Sequence, residues 1–114
     1  MERSEIRFEV ELDDKRVPEK IFWKASEGGA DELSETKAVS ISLWDHAAKN
    51  TMRIDLWSKD MELRDMKRFY IDCLGGLAQS MLNATGDELM SQQTTELVEK
   101  LALHVEKEIK AGKI

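Results

Sequence analysis

The pattern of apolar residues predicts an α+β protein, a four-stranded antiparallel sheet followed by two helices packed on one face. Two observations carry that expectation. Apolar residues recur with period two through the first half of the chain, and from about residue 60 the period changes to 3.6. A length of 114 residues then suits one domain, 1–114, built on one hydrophobic core.

The first strand is expected near 4–12, where Ile6, Phe8, Val10 and Leu12 alternate with Arg7, Glu9 and Glu11. Asp13-Asp14-Lys15-Arg16 reads as a turn, and Pro18 stands where a strand can begin without donating to the ladder. A second, short strand near 19–25 carries Ile21, Phe22 and Trp23, and a polar loop over 25–35 surrounds Gly28-Gly29. The third strand, near 37–45, places Val39, Ile41 and Leu43 on one face and Ala38, Ser40, Ser42 and Trp44 on the other. The fourth, near 51–57, places Met52, Ile54 and Leu56 inward and Thr51, Arg53, Asp55 and Trp57 outward. The connection between these two strands contains an even number of residues. That sets Leu43 opposite Met52 and puts both apolar sets on one face, because an odd shift would turn one set over.

Helices are expected near 62–83 and 87–111. Leu63, Met66, Tyr70, Cys73, Leu77 and Met81 form one stripe, and Met90, Leu97, Val98, Leu101, Val105 and Ile109 the other. Ala84-Thr85-Gly86-Asp87 ends the first helix and caps the second, and Gly112 closes the chain's helical part. Gly75-Gly76 falls inside the first helical pattern, where each glycine costs on the order of 1 kcal/mol against alanine. A close approach of the helix to the sheet would offset that cost, and a break or hinge is the other reading.

Composition narrows the function classes. The net charge is −6, from 23 acids and 17 bases, and the bases are scattered among acids. No basic stripe is present to neutralise phosphates, so neither nucleic acid nor an anionic membrane is an expected partner. A single cysteine, with no apolar leader and no apolar run of spanning length, points to a reducing, cytoplasmic setting without membrane insertion.

Catalytic chemistry finds no constellation. His46 sits in a hairpin loop beside Asp45, and His104 lies on the last helix beside its apolar stripe; neither has a nucleophile at a recognisable spacing. Cys73 falls on an apolar stripe, where a thiolate is disfavoured. No CxxC, HExxH or calcium-loop spacing and no phosphate-cradling glycine motif occurs, so no cofactor, metal or catalytic residue is assigned and the protein is read as no enzyme.

What remains is the outward face of the third and fourth strands. In the register above, Trp44 stands opposite Thr51, Ser42 opposite Arg53, Ser40 opposite Asp55 and Ala38 opposite Trp57. The two tryptophans then end a shallow trough about 20 Å long at ~3.3 Å per residue, with Arg53 and Asp55 along one wall. Tryptophan and arginine are enriched at binding hot spots, which makes Trp44, Trp57, Arg53 and Asp55 the candidate protein-interaction residues. The competing reading gives both tryptophans local structural roles, over the start of the first helix and over the hairpin loop.

Several segments together resemble one family. These are Val17-Pro18-Glu19-Lys20-Ile21 with Trp23, Glu35-Thr36-Lys37-Ala38, and Leu43-Trp44-Asp45-His46. They continue with Arg53-Ile54-Asp55-Leu56-Trp57-Ser58-Lys59-Asp60-Met61, Asp65-Met66-Lys67-Arg68-Phe69, and Ala84-Thr85-Gly86-Asp87-Glu88 with Met90. In this order, from about residue 4 to 105, they resemble the gliding motility-associated protein GldC family of gliding bacteria of the Bacteroidetes group and their relatives. The chain departs from that pattern at Gly86, in place of Asn or a similar polar residue, and in a longer, more basic last helix. The resemblance implies an accessory cytoplasmic role in surface gliding and brings no catalytic residue or cofactor with it. The leading expectation is therefore a non-catalytic protein-interaction module that binds a protein partner or another copy of itself, as a possible homo-oligomer. The alternative is a small-ligand-binding protein or enzyme with a pocket between sheet and helices.

Overall fold

A computed structural model describes residues 1–27 and 32–114; the Gly28-Gly29 pair of the polar loop lies outside the described residues. The chain forms two compact units, Met1–Met61 and Glu62–Ile114. The first is all strand and turn, the second all helix, which agrees with the α+β expectation at that level.

The strand unit holds β1 (Ile6–Leu12), β2 (Pro18–Ala25), β3 (Ser34–Thr36), β4 (Ala38–Asp45) and β5 (Asn50–Trp57). These do not make the single four-stranded sheet expected from the sequence. They make a three-stranded antiparallel sheet in the order β1-β2-β3 and a separate β4-β5 pair. The strand expected near 37–45 is β4, and a short strand that was not expected, β3, precedes it at the end of the stretch read as a polar loop. Ser34–Thr36 pairs with β2, the chain bends at Lys37, and β4 continues with β5 as its partner. Ser34-Glu35-Thr36 has no apolar alternation, so nothing in its pattern separates it from a loop. Alternation also reports which face a residue occupies, not which strand lies alongside.

Local chemistry sets the turns. Asp13 Oδ1 accepts from the amides of Lys15 and Val17 at 2.8 and 2.9 Å, closing the β1–β2 turn, and Arg16 takes the left-handed conformation at φ 64°. In the β4–β5 turn, Asp45 Oδ1 accepts from Ala47 and Ala48 at 2.9 and 3.2 Å. There Lys49, at φ 58°, turns the chain back by donating its amide to the Asp45 carbonyl at 2.9 Å. That turn fixes the register anticipated from the apolar pattern, with Leu43 against Met52 and Trp44 against Thr51.

Among the described residues, few side chains are fully enclosed. Ile21 is completely buried, Ala38, Val39 and Ala78 nearly so, and Ser58 is the buried polar residue. At the far end of the β4–β5 apolar face, by contrast, Leu43, Met52 and Ile54 stay exposed.

The helical unit is α1 (Leu63–Thr85) and α2 (Glu88–Lys110), joined by two residues. Gly86, at φ 72°, donates its amide to the Leu82 carbonyl at 2.9 Å and ends α1 in the left-handed cap that glycine permits. Asp87 then caps α2 by accepting from the Met90 amide at 3.0 Å. Cross-links run antiparallel along the pair. Ser91 Oγ donates to the Ala78 carbonyl at 2.8 Å near the turn, and Lys67 Nζ meets Glu108 Oε1 at 2.8 Å near the open end.

The apolar stripes are only partly covered, with Leu63, Tyr70, Leu77, Met90, Leu97 and Ile109 exposed and Ala78 alone among the helical residues buried. Cys73 is half-buried rather than a sealed core residue. α1 runs unbroken through Gly75-Gly76, so no break stands there, and apart from the helix's own backbone and the chain neighbours no atom lies within 4 Å of where a Cβ would stand at either.

Opposite effects are therefore expected at the glycines. Gly75→Ala should raise the unfolding free energy by up to about 1 kcal/mol, since it removes backbone entropy and meets no neighbour. Gly86→Ala should lower it by about 1–2 kcal/mol, because the cap needs a positive φ. Denaturant titration of both variants checks the pair of signs.

Candidate protein-interaction face

The outward face of the β4–β5 hairpin is built by alternation alone. Even-numbered residues of β4 and odd-numbered residues of β5 share it, and the ladder sets Ala38 against Trp57, Ser40 against Asp55, Ser42 against Arg53 and Trp44 against Thr51. All four residues singled out from the sequence thus lie on one face. Trp44 is 65% exposed and Trp57 50% exposed, so neither is buried against a neighbour.

Between them the polar side chains form one connected group. Arg53 reaches across the hairpin, donating from Nη1 to Ser42 Oγ at 2.5 Å and from Nη2 to Ser40 Oγ at 2.7 Å. The same Nη2 lies 3.0 Å from Asp55 Oδ1, which also accepts from Ser40 Oγ at 2.8 Å. The charge pair does not run along one wall, as the residue types alone suggested. The guanidinium spans both strands and floors the trough. A floor tied down in this way presents a flat, ordered surface and loses little side-chain entropy when covered.

Hydrogen bonding to the charged form holds the Asp55 carboxyl below its usual range. The Ser40 hydroxyl is the larger cause, the Arg53 guanidinium the next, and partial desolvation opposes both.

Trp57 also borders a groove that the sequence did not suggest. Val17 and Pro18, at the entry to β2, line it together with Asp55, Leu56, Trp57 and Lys59. Lys59 is held there by Asp13 at 3.2 Å and Glu19 at 3.5 Å, and its amide donates to the Pro18 carbonyl at 3.0 Å. Only the pairing of chain segments distant in sequence brings Val17 beside Trp57, so no local signal could have found it.

The two histidines do not gather into a site. The Asp45 carboxylate beside His46 is engaged by backbone amides of the turn, and His46 is exposed. His104 is exposed on α2, 3.3 Å from Glu108, rather than at the edge of a buried stripe. A further groove in the helical unit, lined by Arg64, Arg68, Ile71, Ala102, Val105 and Ile109 among others, includes neither histidine.

The profile of a family described as gliding motility-associated protein GldC-like matches residues 18–107. The chain belongs to that GldC-like family. The match runs from the first residue of β2 into the last turns of α2, so it contains the whole outward face and leaves β1 outside. Comparison with curated proteins and with solved structures gave no match. Among the described residues, no helix is long and apolar enough to cross a membrane.

The hydrogen bonds to Asp55 give a pH expectation. Its folded pKa is depressed, so its contribution to stability is present above the unfolded value and lost as pH falls through the folded one. An NMR titration should find Asp55 ionising below the range of unpaired aspartates, and Ser40→Ala should move its midpoint upward. An unchanged midpoint in that variant would show that the serine hydroxyl does not hold the carboxylate.

Proposed function

We propose that this protein is a cytoplasmic accessory protein of bacterial gliding motility that acts as a non-catalytic protein-interaction module. Membership of the GldC-like family supports the link to gliding. The observation that carries the interaction role is the β4–β5 face, with two exposed tryptophans flanking a polar floor whose side chains are already hydrogen-bonded to one another. An internally satisfied floor can be covered by a partner without stranding a charge.

Magnitudes limit what this face does alone. Covering the exposed parts of two tryptophans removes roughly 200–300 Å² of apolar surface, about 5–7 kcal/mol gross at ~25 cal/mol/Å². Association itself costs about 4–15 kcal/mol. The tryptophans can therefore act as anchors, while the groove at Val17 and Pro18 and the polar rim complete a docking surface of useful affinity.

Replacing both anchors tests the reading. The Trp44→Ser/Trp57→Ser chain should keep its thermal midpoint nearly unchanged, because both side chains are largely exposed. Its capture of partner proteins by in-cell cross-linking should fall at least about tenfold, the loss expected from removing hot-spot aromatics. Retained capture by the folded double variant would move the site elsewhere, and unfolding of the variant would make the tryptophans structural.

A further inference from the structure

β4 pairs with β5 on one side, and among the described residues no strand pairs with its other edge. Exposed strand edges in folded proteins are normally guarded by charged side chains, proline or a bulge. The other outer strands here follow that rule. β1 carries Arg7, Glu9 and Glu11, while β5 carries Arg53 and Asp55 and is followed by the Lys59–Pro18 backbone link. β4 is unguarded. Its first seven residues, Ala38-Val39-Ser40-Ile41-Ser42-Leu43-Trp44, contain no charge, no proline and no glycine, and its pairing with β5 is free of bulges. A two-stranded ribbon with an exposed apolar face is also marginal in water until further strands extend it.

The order of residues along β4 says what fits the edge. Reading alternate positions gives Lys37, Val39, Ile41, Leu43 and Asp45, a cation, three apolar residues and an anion. That series is complementary to itself when a copy runs antiparallel. With Ile41 opposite its own counterpart, Val39 meets Leu43, and the Lys37 end of each strand meets the Asp45 end of the other. On the opposite face Ser40 meets Ser42, and the small Ala38 meets the large Trp44. Neighbouring registers that keep the faces matched are worse. A shift one way sets Asp45 against Val39, and a shift the other way sets Lys37 against Leu43.

We propose that two copies of this chain associate through their β4 edges, in antiparallel register about Ile41, to form a continuous β5-β4-β4-β5 sheet. A two-fold axis perpendicular to the sheet keeps Val39, Ile41, Leu43, Met52, Ile54 and Leu56 of both copies on one side and all four Trp44 and Trp57 rings on the other. The pairing uses the backbone edge, so it stands whether or not the tryptophan face docks a further protein. Within each chain Lys37 already meets Asp60 at 2.6 Å, and the pairing of the strand edges does not depend on its also meeting Asp45 of the other copy.

The test uses the 114-residue chain, with Cys73→Ala added in every cysteine variant. Wild-type protein should have twice the 13.1 kDa chain mass by light scattering at micromolar concentration. Ile41→Cys places two thiols opposite each other at a Cα separation within disulfide reach, so mild oxidation should yield covalent dimer. Leu43→Cys alone, at an exposed position, should cross-link at least about tenfold less, because its counterpart lies roughly four residues, ~13 Å, away. Mixing Leu43→Cys with Val39→Cys chains should restore cross-linking between the two kinds of chain. A wild-type chain that stays monomeric overturns the proposal and would give the edge to a strand of another protein. Equal self-cross-linking by Leu43→Cys and Ile41→Cys overturns the register.

Discussion

The strand unit is organised around a small junction of Lys37, Ser58 and Asp60. The Ser58 amide donates to the Lys37 carbonyl at 2.9 Å, so the residue after β5 is tied to the bend that precedes β4. Ser58 Oγ donates to one oxygen of Asp60 at 2.7 Å, and Lys37 Nζ meets the other at 2.6 Å, closing a ring of contacts around that backbone bond. The charged pair is about half exposed and, as a surface ion pair, is worth only about 0–1 kcal/mol. Geometry comes instead from Ser58, which is 2% exposed with both its amide and its hydroxyl satisfied. A buried polar residue of this kind is costly to misplace, since every alternative position leaves a donor without an acceptor.

From that junction the division of the sheet follows. β3 ends against β2 after three residues, the chain bends, and β4 leaves with β5 as its companion. The hairpin then has an apolar face and an aromatic face, and both keep large side chains in solvent. Scattered exposed apolar residues are ordinary, but an apolar row on one side of a two-stranded ribbon with two large aromatics on the other is the usual mark of surfaces that other chains cover. The polar group between the tryptophans is already satisfied within the chain, so burying it strands no charge.

The helical unit shows the same economy. A two-helix hairpin encloses only the seam where small residues let the backbones approach, here Ala78 beside Ser91, and the wider apolar stripes are part-buried or exposed. Its turn, unlike its faces, is specified by local chemistry: the positive φ of Gly86, the Asp87 side chain on the Met90 amide, and the Thr85 hydroxyl that bonds the Met81 carbonyl at 2.6 Å while accepting from the Asp87 amide at 3.0 Å.

Much of this was legible in the residues because it is local or periodic. Alternation placed β4 and β5, and the even loop between Asp45 and Asn50 fixed their register, down to Trp44 against Thr51 and Ala38 against Trp57. The 3.6-residue period and the Thr85-Gly86-Asp87 punctuation located both helices to within a few residues. Period two carries no information about which strand lies alongside, so the split between β1-β2-β3 and β4-β5 was decided by a polar three-residue strand and a bend that leave no periodic trace. Nor does residue type reveal where a long side chain is spent: the reach of Arg53 across to Ser40 and Ser42, and the placing of Val17 and Pro18 beside Trp57, depend on contacts between segments far apart in sequence. Sequence thus determined which faces this protein has, because faces follow from the geometry of one strand or one helix, and tertiary structure decided what those faces are made of and which of them remain open.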